Sequence, residues 1–321
     1  MRSLTRFCFL TTILVIVICL LARAFPFANI TNAQQLKNDS FTLTVTVNDN
    51  KHRLLGDLEQ SKFTVVVDNQ PAEIMSFSNS GPTSVGILLD TSSSVLSGSK
   101  WEIKKRRQSV IEGLVNLVAS GDPNNEYFVM AFNSSIELLV DWTSDYPPIV
   151  SALRTVTRRD QSLLNDAIVS GLNKVAEGHH KKRALIIVSD GSDNGSKNTY
   201  SFVRNSLKRS DVVLYAVGLT AEQDRGSSLG MEGQGVLDEL STISGTNALF
   251  SNADNRRESV AEILSFVGLQ MKHQYTFRLR AENANAGPKW HKVTITVQDL
   301  RDASGSKVHL TAKTRPGFYA N

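Results

Sequence analysis

The chain has almost no cysteine. Its 321 residues include only Cys8 and Cys19, both inside the N-terminal apolar segment. Everything beyond Cys19 therefore lacks a disulfide, a cysteine-ligated zinc site and a thiol nucleophile, and the core has to hold the fold together. Histidine is also sparse. His52, His179, His180, His273, His291 and His309 form no i, i+4 pair, which argues against a histidine zinc site and assigns them to the surface or to β structure. No acidic residue precedes Asp39, whereas Arg2, Arg6 and Arg23 account for three of the four net positive charges. The basic balance is thus mostly a property of the leader and carries no nucleic-acid signal. Apolar content of 41% with 21% charged residues excludes a disordered chain. No internal repeat is visible.

Residues 1–33 read as a targeting segment. Arg2 and Arg6 precede an apolar stretch from Phe7 to Ala22, and Ala22-Arg23-Ala24 and Thr31-Asn32-Ala33 offer small residues at cleavage-site spacing. The stretch is at the short end of the roughly 20 residues a membrane span needs, so a cleaved signal and an uncleaved anchor are both open. Either way the remainder is expected to be exported, to the periplasm, the cell envelope or the medium. Val17-Ile18 before Cys19 lacks the small residue expected next to a lipidated cysteine. Asn-x-Ser/Thr triplets at Asn29, Asn38, Asn133 and Asn194 matter only in a eukaryotic secretory pathway.

Three grammars follow. In residues 34–82, Phe41–Val47 alternates apolar and hydroxyl residues as a half-buried strand does, and Phe63–Val67 and Ala72–Phe77 are further strands. Asn48-Asp49-Asn50 and Asp68-Asn69-Gln70-Pro71 read as turns and Ser78–Pro82 as a linker. In residues 83–272, apolar strands (Val85–Leu89, Tyr127–Phe132, Ile136–Val140, Ala184–Val188, Val212–Val217) alternate with helical patterns. The helices are Trp101–Val118, a short one after Pro147-Pro148, Leu163–Glu177, Ser201–Arg209, Val236–Ser244 and Glu258–Lys272. Gly- and Ser-rich Ala221–Gly235 reads as a surface loop. In residues 273–321 strands return at Gln274–Arg280, Lys292–Val297 and Lys307–Ala312, with turns at Asn283–Pro288 and Asp302–Gly305. The alternation predicts a doubly wound, mostly parallel α/β sheet covered on both faces. Neither flank buries much alone, so the economical arrangement is a small β-sandwich built from both flanks with the α/β domain inserted in it.

Asp90-Thr91-Ser92-Ser93-Ser94 follows the first buried strand of the α/β region. Ligands bind at this end of an open α/β sheet. One carboxylate with alternate hydroxyls suits a hard cation such as Mg²⁺, which prefers oxygen ligands. Alone, such a loop reads equally well as a capping turn. Two more features join it. Ala184–Val188 runs into Ser189-Asp190-Gly191, a second strand ending in a carboxylate with a glycine that permits a sharp turn. Between them Ser162 precedes a helix and offers a further hydroxyl from a facing loop.

With these residues the chain resembles a von Willebrand factor type A domain carrying a metal-ion-dependent adhesion site. The Asp-x-Ser-x-Ser loop matches at Asp90, Ser92 and Ser94, the second-loop hydroxyl falls on Ser162, where threonine is usual, and the strand-terminal Asp-Gly falls on Asp190-Gly191. Serine keeps the hydroxyl but loses the methyl group that stiffens the rotamer. The likeness covers about Ser84 to Lys272. The flanks, including Phe63–Asn69 and Arg315–Ala320, resemble exported bacterial proteins of the "VWFA-related" type known from Acidobacteria. The resemblance implies a Mg²⁺ site (Mn²⁺ or Ca²⁺ as alternatives) at Asp90, Ser92, Ser94, Ser162 and Asp190, completed by an Asp or Glu from a protein partner. It implies adhesion-type binding without catalysis; a membrane link is expected only through an uncleaved N-terminal segment. Asp166, in the helix after Ser162, reads as stabilising that helix's N-terminus, and Asp193, just past the Asp190-Gly191 turn, as supporting the ligands from behind; contact with the metal through water is the alternative for each.

Competing readings are weaker. Leu89-Asp90-Thr91-Ser92 also looks like the catalytic loop of pepsin-like peptidases, but those need two carboxylates on β-rich lobes. A subtilisin-like site lacks its glycine-flanked histidine. A metal-dependent hydrolase needs a positioned base, and the three loops contain neither His nor Glu. A structural envelope protein with a vestigial site is the remaining alternative. The basic runs Lys104-Lys105-Arg106-Arg107 and Lys181-Lys182-Arg183 read as a solvated helix face and a loop, or else as a patch for an acidic partner.

Overall fold

The flank ahead of the central region supplies β1 (Ser40–Asp49), β2 (Leu54–Leu55), β3 (Phe63–Val67), β4 (Gln70–Pro71) and β5 (Glu73–Ser78). The central region runs β6 (Thr83–Asp90), α1 (Lys100–Ser120), β7 (Glu126–Phe132), β8 (Ile136–Thr143), α2 (Tyr146–Thr155), α3 (Leu164–Ala176), β9 (Lys182–Ser189), α4 (Tyr200–Arg209), β10 (Val213–Gly218), α5 (Ser228–Ser244), β11 (Leu249–Phe250) and α6 (Val260–Lys272). The closing flank adds β12 (Gln274–Arg280), β13 (Trp290–Val297), β14 (Leu300–Arg301), β15 (Lys307–Val308), β16 (Leu310–Thr314) and β17 (Gly317–Tyr319). This computed structural model describes residues 40–93, 95, 99–155, 161–219, 227–251, 259–280 and 289–319. The targeting segment read at 1–33 and the turn read at 283–288 lie outside them. Among the described residues no helix is long and apolar enough to cross a membrane.

The central sheet has the order β11-β10-β9-β6-β7-β8, parallel throughout except for the β7–β8 pair. Every residue of β6, β7 and β10 is buried, as strands covered on both faces should be. Side chains alternate between two cores. Val85, Ile87 and Leu89 enter one with Leu114 and Leu117 of α1 and Leu264 and Val267 of α6. Leu88 enters the other with Ile168 of α3, Val203 of α4 and Leu237 of α5. Both α1 and α6 start with capping boxes, Ser99 with Glu102 and Ser259 with Glu262, which satisfy backbone donors left free at a helix start.

The flanks form two larger antiparallel sheets, β16-β1-β12-β5 and β17-β13-β3-β4, and a two-stranded one, β14-β15. Val45 pairs with both Tyr275 and Thr314, so strands from opposite ends of the chain share one ladder. Leu43, Val45, Phe63, Val65, Phe277 and Val293 fill the layer between the sheets. The doubly wound domain therefore interrupts a β-sandwich. Its α4 and α5 rest on the closing flank. The buried Arg315 guanidinium donates to Leu207 O and Lys208 O at 3.1 Å each and to Ser210 O, satisfying carbonyls at the end of α4. Lys208 lies over the Trp290 ring and Arg209 over the Tyr319 ring.

Several local expectations change. The short helix does not follow Pro147-Pro148 but contains them in its first turn, where a missing N–H removes no helical bond. Gln70 and Pro71 pair with β3 instead of turning; the turn is Asp68-Asn69, both at positive φ, the two-residue geometry of a tight hairpin. Ser228 to Gly235, read as loop, opens α5, capped by Ser227 accepting from Gly230 N at 3.0 Å. Its glycines masked the helical pattern.

Lys182 begins β9 and is buried, donating to Met271 O at 3.2 Å. Burial lowers its pKa to about 8, against the opposing pull of Asp122. Because the folded value lies below the unfolded one, the ammonium destabilises the fold below pH 8, and that penalty disappears as pH rises from about 8 towards 10.5. Lys182→Met is expected to raise stability at pH 7 by about 2 kcal/mol, with the advantage shrinking at pH 10, measured by urea unfolding of both proteins at the two pH values.

Candidate metal centre

The register of β6 on β9 pairs Leu89 with Val188, so Asp90 and Ser189 emerge level at the carboxyl edge of the sheet. Ser189 Oγ donates to Asp90 Oδ2 at 2.6 Å and accepts from Gly191 N at 3.0 Å. Ser162 Oγ reaches the same Oδ2 at 3.4 Å, and Ser92 N donates to Oδ1 at 2.9 Å. Asp90, Ser92, Ser162 and Ser189 are all buried. Thr91 ties the first loop to the end of β7, with its N–H and hydroxyl donating to Phe132 O at 2.9 and 3.1 Å. Asn133 Nδ2 in turn donates to Thr91 Oγ1 at 2.8 Å.

The second and third loops are clamped together. Ser162 N donates to Asn194 Oδ1 at 2.9 Å and Asn194 N returns a bond to Ser162 O at 3.1 Å. Asp193 accepts from Asn165 Nδ2 at 2.9 Å and from Ser196 Oγ at 2.6 Å. Asp166 accepts from Lys197 N at 2.9 Å and from Asn198 N at 2.8 Å. Burial alone would raise the Asp166 pKa, but these backbone bonds hold it below the usual carboxylate range. The carboxylates of Asp166 and Asp193 thus act as braces between the start of α3 and the loop after β9.

Electrostatics make this edge unusual. Burial first, and then the charge of Asp190, push the Asp90 carboxyl up to about 7, against hydrogen bonds from Ser189 and Ser92 that favour its ionised form. The described hydrogen bonds to Asp90 all come from hydroxyl or amide groups. Among the described residues no three His, Cys, Asp or Glu side chains gather as a metal cluster. A cation here would be held by two carboxylates and neutral hydroxyls. That all-oxygen set fits a hard divalent ion, and such an ion would offset the charge that burial makes costly.

Of the five residues singled out in the sequence, Asp90, Ser92 and Ser162 are brought together by direct contact or short loops, and Asp190 stands close enough to act on the Asp90 charge. Ser94 lies outside the described residues. Sequence reasoning missed Ser189, the strongest partner of Asp90. The signal was its place immediately before Asp190 on a strand parallel to β6.

A family model described as von Willebrand factor type A domain matches residues 84–265. Among solved structures the chain is similar to an aerotolerance-related membrane protein from Bacteroides fragilis, at 15% identity and TM-score 0.45, over 60% of this chain and 98% of that one. It is also similar to the vWF domain of the type V pili tip protein Mfa5 from Porphyromonas gingivalis, at 12% identity and TM-score 0.46, over 59% and 94%. A third is a von Willebrand factor type A structure from Catenulispora acidiphila, at 10% identity and TM-score 0.43, over 88% and 74%. No curated protein matches the chain.

The turn at Asp190 depends on glycine. Gly191 has φ +85°, and a Cβ there would lie 2.1 Å from Gly233 O; a Cβ on Gly233 would lie 2.3 Å from Asp190 O. Backbone meets backbone at both positions, so neither can yield. Gly191→Ala and Gly233→Ala are each expected to destabilise by roughly 2 kcal/mol or more. Gly235→Ala, on the same helix but facing open space, should stabilise by about 0.5–1 kcal/mol. Chemical denaturation of the three variants tests the contrast.

Proposed function

Because the chain belongs to the von Willebrand factor type A domain family, we propose that it is an exported, non-catalytic protein-binding module of adhesion type. A Mg²⁺ ion, with Mn²⁺ or Ca²⁺ as substitutes, would be held by Asp90, Ser92, Ser94, Ser162 and Asp190. When bound, it would offer a Lewis-acidic position to a carboxylate oxygen from a protein partner. The observation that carries this reading is the buried Asp90 carboxylate, set beside Asp190 among hydroxyls at the exposed edge of the sheet.

The chain's own residues divide the work. Ser189 orients Asp90 through Oδ2, and the Ser92 amide fixes Oδ1. Asn194 sets the second loop so that the Ser162 hydroxyl faces Asp90. Few carboxylates in the set leave a divalent ion short of negative charge, which favours capture of an outside Asp or Glu. The site loops offer no His or Glu to activate water, which supports binding over hydrolysis.

Thermal unfolding in chelator, then with Mg²⁺ or Mn²⁺, tests the proposal. Saturating ion is expected to stabilise the protein by about 2–3 kcal/mol. Asp90→Ala should abolish the response and Ser189→Ala should weaken it. No response to either ion at millimolar concentration overturns the metal reading.

A further inference from the structure

Three large apolar side chains stand exposed on the first turns of helices that start from the edge carrying the candidate centre. Trp101 is 68% exposed, Phe202 51% and Met231 60%. They are the second residue of α1, the third of α4 and the fourth of α5. Those helices follow β6, β9 and β10, which run parallel in one sheet, so all three helix starts share its carboxyl edge. Met231 is tied most directly to the centre. It lies two residues before Gly233, whose backbone touches the Asp190-Gly191 turn. Elsewhere these helices put their apolar residues inside: Leu114 and Leu117 of α1, Val203 and Leu207 of α4, Leu237 and Leu240 of α5 are all buried. Each of the three helices thus keeps its core residues inside and exposes one large apolar group near its start.

The charge beside Trp101 points to the occupant. Lys100, Lys104 and Lys105 are exposed on the first turns of α1, and Lys105 Nζ sits 5.1 Å from the centre of the Trp101 ring. An aromatic face flanked by lysines suits an acidic segment with apolar neighbours. Aromatic residues and methionine are also the types enriched where proteins dock.

We propose that Trp101, Phe202 and Met231 form an apolar rim around the candidate metal centre, and that the partner is a peptide segment whose Asp or Glu lies next to a large apolar residue. The acid addresses the centre and its neighbour packs on the rim. This inference rests on the metal-dependent binding reading and adds what the partner must carry beside its carboxylate.

Panning a phage-displayed random peptide library on the exported chain, in Mg²⁺ and in chelator, tests it. The expected result is Mg²⁺-dependent enrichment of peptides with Asp or Glu within a residue or two of Trp, Phe, Leu or Met. A Trp101→Ser/Phe202→Ser/Met231→Ser variant should still select the acid but lose the apolar preference. Each single substitution should weaken an enriched peptide about fivefold by fluorescence polarisation, as for residues at the energetic centre of an interface. The melting temperature of the variants should match the parent, since all three side chains are exposed. Mg²⁺-dependent selection of acids with no apolar preference, or the same preference in the triple variant, overturns the rim and leaves the metal reading standing. Absence of any Mg²⁺-dependent acidic selection overturns both.

Discussion

The hydrogen bond from the Ser189 hydroxyl to the buried Asp90 carboxylate joins two neighbouring parallel strands at their carboxyl ends. It exists only in one register. Side chains on a strand alternate between faces, so a slip of one residue would exchange the Val85-Ile87-Leu89 face with the Leu88 face and empty both cores. The cores on either side of the sheet therefore fix, to the residue, which groups meet at its edge. The site inherits its precision from packing some distance below it.

Loop bonds then extend that precision beyond the strands. Thr91 and Asn133 anchor the first loop to β7, and Asn165, Asp166, Asp193, Asn194 and Ser196 fasten the second loop to the third. In a linear reading only Asp166 and Asp193 stand out among them, as a helix-start acid and a residue behind the ligands. In space they brace backbone segments that would otherwise have unpaired donors. Gly191 and Gly233 complete the arrangement by letting α5 approach the turn backbone to backbone.

At the opposite end of the α/β domain the sandwich provides the mounting. Its ladder joins β1 to β12 and β16, so the sandwich closes only after the inserted domain has been traversed. Arg315 links that closure to α4 by satisfying carbonyls at the helix end, and Gly245, at φ +96°, lets the end of α5 approach Thr314 and Arg315. A chain with no cysteine beyond Cys19 relies on such contacts where others use disulfides.

Apolar runs ending in Asp90 and Asp190, with helical periodicity between, were enough to predict a doubly wound sheet with two carboxylates at one edge. The reason is local: buried parallel strands are apolar throughout, and their period is visible along the chain. Short-range chemistry also made a turn readable at Asp68-Asn69, although the reading carried it two residues too far, into Gln70-Pro71. Other features were not legible because they depend on distant neighbours. The Ser228–Gly235 segment opens a helix in which Gly233 fits against the Asp190 backbone, whereas composition alone reports it as a loop. Ser189 gains its role from lying beside Asp90 across 99 positions of sequence. Sequence by itself thus determined the central apolar strands, most of the helices and the residue types at the candidate centre. Tertiary structure decided which hydroxyl touches which carboxylate and which acids become braces, because those outcomes follow from strand register and loop-to-loop hydrogen bonds that no single segment contains.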